Sequence, residues 1–133
     1  MMEQSLVLVK PDAVERNIIG KILSIYEDRG LNILKMKKMR VSRELAEKHY
    51  EEHKGRDYYD SLINYITRSD LVALVLEGED AISRIRKING SNNPDKAEEG
   101  TIRKLYALST TLNSVHASDS PVSAEREIGL WFD

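Results

Sequence analysis

Two short runs without a polar residue, Leu6-Val-Leu-Val9 and Leu71-Val-Ala-Leu-Val-Leu76, constrain this chain more than any other feature. Side chains of a strand alternate between its two faces, so a strand apolar at every position must be covered on both. The runs are rich in β-branched residues and far too short to cross a bilayer. Leu31 to Val41 reads differently: it begins with alternation and then mixes Met with Lys, which suggests a half-exposed strand with room for a bulge.

Between these runs the period becomes helical. Ile18, Ile19, Ile22, Leu23 and Tyr26 fall on one helix face, and Gly30 is a C-terminal stop. Ser42 caps a second helix carrying Leu45, Ala46, His49 and Tyr50. Tyr58, Tyr59, Leu62, Ile63 and Ile66 form a third face, and Ala81, Ile82, Ile85 and Ile88 a fourth. Strands interleaved with helices predict an α/β or α+β sandwich, a single domain over residues 1–133. Its 22 acidic and 20 basic residues create no overall field for nucleic acid or an anionic membrane, and the absence of cysteine excludes thiol chemistry and disulfides. Glu3 precedes the first apolar run, which is too short for a signal-peptide core, so the expected location is cytoplasmic.

Two places resist this regular scheme. Gly90 to Gly100 is a long polar loop, of a kind that is often functional. Ser114 to Ala117 reads as a short strand, followed by Ser120-Pro121 as an N-cap with proline at the first helical position. His116 would then sit at a strand end facing a helix start, where anions are favoured. His49-Tyr-Glu-Glu-His53 matches an H-x-x-E-H zinc pattern but lacks a third ligand, and it lies in a charged helix face. Ser118 and Ser120 lie in no nucleophile elbow, and Ser120 is better explained as a cap. With no glycine-rich phosphate loop present, a phosphate ligand would need side chains, and Lys10, Arg56, Arg86 and Arg103 with His116 are the candidates for that clamp.

The segment Asn113-Ser-Val-His-Ala-Ser-Asp-Ser120 closely resembles the N-x-[IV]-H-G-S-D-S signature of nucleoside diphosphate kinases. LVLVKPDAV, KHYEEHKGRDYYDSLINYI, INGSNNPDKAEEGTIR and SAEREIGLWF resemble further segments of that family in the same order, so the resemblance spans essentially the whole chain. It implies an α+β fold, a ferredoxin-like four-stranded antiparallel sheet with helices packed on it and an inserted helical pair. It also implies a phosphotransferase that moves the γ-phosphate of a nucleoside triphosphate, ATP as main donor, to a nucleoside diphosphate. The route would be ping-pong through a phosphohistidine at His116, with Mg2+ carried on the nucleotide. A homo-oligomer, tetramer or hexamer, is implied as well, with no nucleic-acid or membrane partner.

By the same resemblance Glu127 orients His116, assisted by Ser118. Lys10, Arg86 and Arg103 hold phosphates, with Tyr50 and Arg56 on the phosphate side. Asn113 and Lys10 hold the sugar hydroxyl, and Tyr58 stacks on the base with Leu62 beneath it. Stacking reads a ring face, so base selectivity should be low. Four residues depart from the family pattern: Ala117 and Ala13 replace glycines, Asn92 a phosphate-binding threonine, and Asp57 a proline. An alanine at 117 would strain the loop only if φ there is positive. Two other readings use the same motif: a phosphohistidine carrier or protein histidine kinase, and a nucleotide-binding module weakened by Ala117 and Asn92.

Overall fold

In a computed structural model, which describes residues 1–110 and 112–132, the two apolar runs lie side by side. They are strands β1 (Met2–Val9) and β3 (Leu71–Glu79), paired antiparallel at the centre of a sheet ordered β2-β3-β1-β4. The outer strands are β2 (Asn32–Met39) and β4 (Val115–Ala117), both also antiparallel to their neighbours. The alternation divides the central strands between two apolar cores. Val7, Val9, Val72, Leu74 and Leu76 face one, while Leu6, Leu8, Leu71 and Ala73 face the other. That division explains why neither run contains a polar residue.

The chain runs β1, α1 (Pro11–Glu15), α2 (Ile19–Asp28), β2, α3 (Arg43–His49), α4 (Tyr59–Ile66), β3, α5 (Ala81–Asn89), α6 (Ile102–Tyr106), β4 and α7 (Pro121–Phe132). Helices α2 and α5 cover the first face through Ile22, Tyr26, Ala81, Ile85 and Ile88. Helices α3, α4 and α7 cover the second through Ala46, Ile63, Ile66 and Trp131. Each fully buried isoleucine among them contributes roughly 1.5–3 kcal/mol relative to exposure. The arrangement is the ferredoxin-like α+β sheet, with α3 and α4 as the helical pair inserted between β2 and β3. No helix among the described residues is long and apolar enough to cross a membrane.

Local signals end the elements where the sequence places them. Gly30, at φ +79°, closes α2 as its N–H donates to Glu27 O and that of Leu31 to Tyr26 O. Ser42 Oγ accepts from Leu45 N at 3.1 Å to cap α3, and Ser120 Oγ accepts from Ser123 N at 3.1 Å to cap α7. β2 is an edge strand whose register slips between Ile33 and Lys35, the bulge its mixed pattern suggested.

Candidate functional site

The three-residue strand β4 positions His116. Opposite residues of an antiparallel pair share a face, and His116 lies opposite Leu8, whose side chain faces α3, α4 and α7. The imidazole therefore emerges on that side, while Val115 and Ala117 enter the other core. Chain entry into β4 is unusual: Ser114 is left-handed at φ +73°, a conformation rare for a residue with a Cβ. It is held there from two sides. Lys10 N–H donates to Ser114 O at 2.8 Å, and Arg16 donates to Ser114 Oγ at 3.2 Å.

A chain of hydrogen bonds then fixes the ring. Leu6 N–H on β1 donates to Ser118 Oγ at 3.1 Å, and the Ser118 hydroxyl donates to Glu127 Oε1 at 2.8 Å. The same carboxylate oxygen lies 3.1 Å from His116 Nε2. A carboxylate only accepts, so Nε2 carries the proton and Nδ1 keeps its lone pair, with no protein partner among the described residues. Glu127 and Ser118 are buried, and the whole relay is anchored to β1, one of the two central strands of the sheet.

His116 opens on a cavity of about 350 Å³, lined in part by Tyr50, Arg86, Asn92, Arg103, Arg126 and Glu127. Burial, and then the charge of Glu127, push the Tyr50 phenol above its usual range, so it stays a neutral hydroxyl. Arg103 is clamped: Nη1 donates to Gly90 O at 2.8 Å and Nη2 to Val115 O at 2.8 Å. Its Nε is the only enclosed side-chain nitrogen or oxygen without a partner among the described residues. Burial, joined by the charge of Arg86, lowers the Arg103 pKa. Gly90, at φ +88°, makes this clamp possible, because a Cβ there would meet Thr101 Oγ1 at 2.6 Å. Asp119 shares the cavity wall, and a hydrogen bond from Ser123, with the nearby Arg86 charge, holds its carboxyl below the usual range.

Behind the cavity wall Lys10 is buried, its Nζ 2.9 Å from Asn113 Oδ1. Burial, then the charge of Arg103, push its ammonium down to about 8. Arg86, Arg103 and Arg126 thus share the wall with Glu52, Asp119 and Glu127, and Lys10 adds a fourth cation beside them.

The candidate residues therefore fall into groups. Tyr50, Arg86, Asn92, Arg103, His116 and Glu127 meet at one cavity, with Ser118 behind Glu127. Lys10 and Asn113 pair with each other and do not line that cavity. Arg56 and Tyr58 are exposed and lie outside the lining, although the Tyr58 hydroxyl bonds at 2.8 Å to Nδ1 of His53, which does line it. Leu62 packs onto the second core. Ala117 does not have a positive φ, so the glycine it replaces is not needed for backbone reasons.

Sequence reasoning missed two members of the site. Trp131 Nε1 donates at 3.1 Å to Nδ1 of His49, whose ring meets that of His116 edge-on with centroids 4.7 Å apart. The H-x-x-E-H reading paired His49 with His53 on one helix. In the structure α3 ends at His49, a 3₁₀ turn follows at Glu51–His53, and the two rings take different partners. Instead His49, His116 and Glu127 place one donor atom each within 4.8 Å of one another. Nitrogen donors of this kind suit zinc better than magnesium. The Trp131 bond works against a metal here, because it leaves the proton of neutral His49 on the one nitrogen an ion would need.

Comparison with known proteins gives a uniform answer. The family model described as "Nucleoside diphosphate kinase" matches residues 3–133. A nucleoside diphosphate kinase of Clostridium perfringens is 65% identical over 98% of this chain and 92% of the relative. One from Methanocaldococcus jannaschii is 52% identical over 99% of this chain and 94% of its own length. Among solved structures, the Aquifex aeolicus nucleoside diphosphate kinase superposes with a TM-score of 0.97 at 38% identity, covering 100% of this chain and 96% of that one. A halophilic nucleoside diphosphate kinase from Halobacterium salinarum, solved in complex with CDP, gives 0.97 at 39% identity, covering 100% and 89%.

Proposed function

The chain belongs to the nucleoside diphosphate kinase family, and from that premise we propose that His116 carries the phosphoryl group between two nucleotides. The activity is transfer of the γ-phosphate of a nucleoside triphosphate to a nucleoside diphosphate. The observation that supports this assignment of His116 is its bond from Nε2 to Glu127, which leaves Nδ1 as a free lone pair at the cavity.

The Nδ1 lone pair attacks the γ-phosphorus. As the N–P bond forms, the bond from phosphorus to the β–γ bridging oxygen breaks, and its electron pair leaves with the diphosphate. The ring gains positive charge in this step, and Glu127 at 3.1 Å stabilises it through the Nε2 proton. A second diphosphate then reverses the sequence, its terminal oxygen taking the phosphoryl group from Nδ1. No general base is required, because neutral imidazole is already the nucleophile.

Charge on the transferring group is met by Arg86 and Arg103 on the cavity wall and by the Lys10 ammonium behind it. Tyr50 adds an uncharged hydroxyl on the same wall. The wall pairs Arg86, Arg103 and Arg126 with Glu52, Asp119 and Glu127, and Glu52 and Asp119 would be available to the waters of a magnesium ion that arrives on the phosphates. When bound, that ion neutralises charge on the phosphoryl oxygens. Asn113 and Lys10 sit where a sugar hydroxyl would replace their mutual bond, and Tyr58 offers a base-stacking face at 47% exposure. Arg56 and Asn92 complete the phosphate side, and Leu62 supports the helix that carries the base. On family grounds ATP is the main donor, the assembly a tetramer or hexamer, and the location the cytoplasm.

A cavity of about 350 Å³ favours a small-molecule acceptor over the protein acceptor of a phosphohistidine carrier. Initial-rate kinetics with magnesium ATP and a different diphosphate test the proposal. Parallel double-reciprocal lines are expected, with no transfer by His116→Ala despite retained nucleotide binding. Intersecting lines, or near-normal transfer by that variant, would contradict it.

A further inference from the structure

His49 has no part in the scheme above, yet it is a buried polar side chain on the cavity wall, and its ring meets that of His116 at 78°. Its Nδ1 faces Trp131 Nε1 at 3.1 Å, both groups being enclosed. An indole nitrogen can only donate, so Nδ1 must accept and the proton of neutral His49 must lie on Nε2. That nitrogen has no partner among the described residues, and it is not among the enclosed atoms left unpaired, so it opens on the cavity.

We infer that His49 is a neutral hydrogen-bond donor, locked in its Nε2–H tautomer by Trp131, to the phosphoryl group that His116 receives. This rests on the reading of His116 as phosphoryl carrier. To become charged, His49 would need a second proton on Nδ1, pointing at the indole N–H. The surroundings oppose that proton too. Burial leads, and the charges of His116, Lys10, Arg126 and His53 act with it to hold His49 well below the usual histidine range. Glu127 is the carboxylate closest to the ring, already occupied by Ser118 and His116, while Tyr50 beside it is a neutral phenol. Neutrality matters because His116 itself gains positive charge on accepting phosphate, and a second cation 4.7 Å away would oppose that step. A neutral N–H can bind phosphoryl oxygens without that repulsion.

Two measurements test this. In ¹⁵N–¹H spectra of the wild-type protein, His49 should show the Nε2–H tautomer and remain neutral where an ordinary histidine is already charged. An Nδ1–H tautomer, or titration at an ordinary histidine pH, would overturn the inference without any substitution that risks the fold. Rapid-quench phosphorylation by magnesium ATP then compares wild type with His49→Gln and His49→Leu. Glutamine offers an oxygen to Trp131 and an N–H to the cavity, so it should stay within about threefold of wild type, whereas leucine should be slower by about tenfold or more, the effect of removing a hydrogen bond to a charged group. A leucine variant as fast as wild type, or a glutamine variant as slow as leucine, would show packing alone. Wild-type protein that is never phosphorylated on His116 would instead remove the carrier reading itself.

Discussion

Replacing Lys10 with methionine should change how stability depends on pH by a definite amount. Burial, then Arg103, push the folded-state ammonium down from an ordinary 10.5 to about 8. Between these values the unfolded chain keeps a proton that the folded chain has lost, so stability rises with pH across this window. Below pH 8 the cost of enclosing the charge is fully present, and above about 10.5 it is gone. The interval from 10.5 to about 8, at about 1.36 kcal/mol per pH unit, comes to about 3 kcal/mol. Methionine is close in shape and has no proton to lose. It also forfeits the 2.9 Å bond to Asn113, which adds an offset. Urea denaturation of the nucleotide-free protein at pH 7 and at pH 10.5 removes that problem, because the quantity compared is the change in the difference between variant and wild type. Buried tyrosines titrate equally in both proteins and cancel. The variant's stability relative to wild type should fall by about 3 kcal/mol between the two pH values. A difference constant to within about 1 kcal/mol would refute the claim that Lys10 is held charged against its surroundings. In the phosphate-binding role proposed for Lys10, a bound phosphate would offset this cost of burial.

Other substitutions probe separate parts of the account. Ser118→Ala leaves the buried Leu6 N–H without its acceptor, which should cost about 1–3 kcal/mol in thermal or urea unfolding. It should also slow phosphorylation of His116, and an unchanged unfolding midpoint would mean that the Leu6–Ser118–Glu127 relay does not anchor the ring. Gly90→Ala forces a Cβ to 2.6 Å from Thr101 Oγ1 at a left-handed φ, and should destabilise by more than about 1 kcal/mol while displacing Arg103. Normal stability and a normal KM for ATP would count against the clamp. Tyr58→Ala should weaken all nucleotides alike, by roughly 1–3 kcal/mol in equilibrium binding. A loss confined to purines would mean the site reads more than a ring face.

Much of the fold was legible because the central strands are covered on both faces. A fully enclosed strand leaves no position for a polar residue, and β1 and β3 therefore stand out as unbroken apolar runs. The caps at Ser42 and Ser120 and the stop at Gly30 act through local hydrogen bonds and backbone angles, so they too could be read residue by residue. Strand β4 is another matter. The sequence reads as a short strand over Ser114 to Ala117 and the strand is observed over Val115–Ala117, but its place in the sheet depends on pairing with β1 more than a hundred residues upstream, which no local pattern carries. The site behaved similarly. His116, Arg86 and Arg103 stood out as phosphate-clamp candidates and the family motif added Glu127, whereas the bond between His49 and Trp131 was invisible because it joins α3 to α7 across the second core. Sequence proximity even pointed His49 to the wrong partner, His53, because the helix that would align them ends at His49 itself. The left-handed Ser114 could not be foreseen either, since the contacts that hold it come from Lys10 and Arg16.

Transfer through His116 is tested most directly by intact-mass spectrometry of the protein mixed with magnesium ATP, followed by a different nucleoside diphosphate. One added phosphoryl group, mapped to His116, is expected, and it should leave at once as the new triphosphate. No added mass at His116 during active turnover, or a phosphoryl group that the second diphosphate fails to remove, would contradict it.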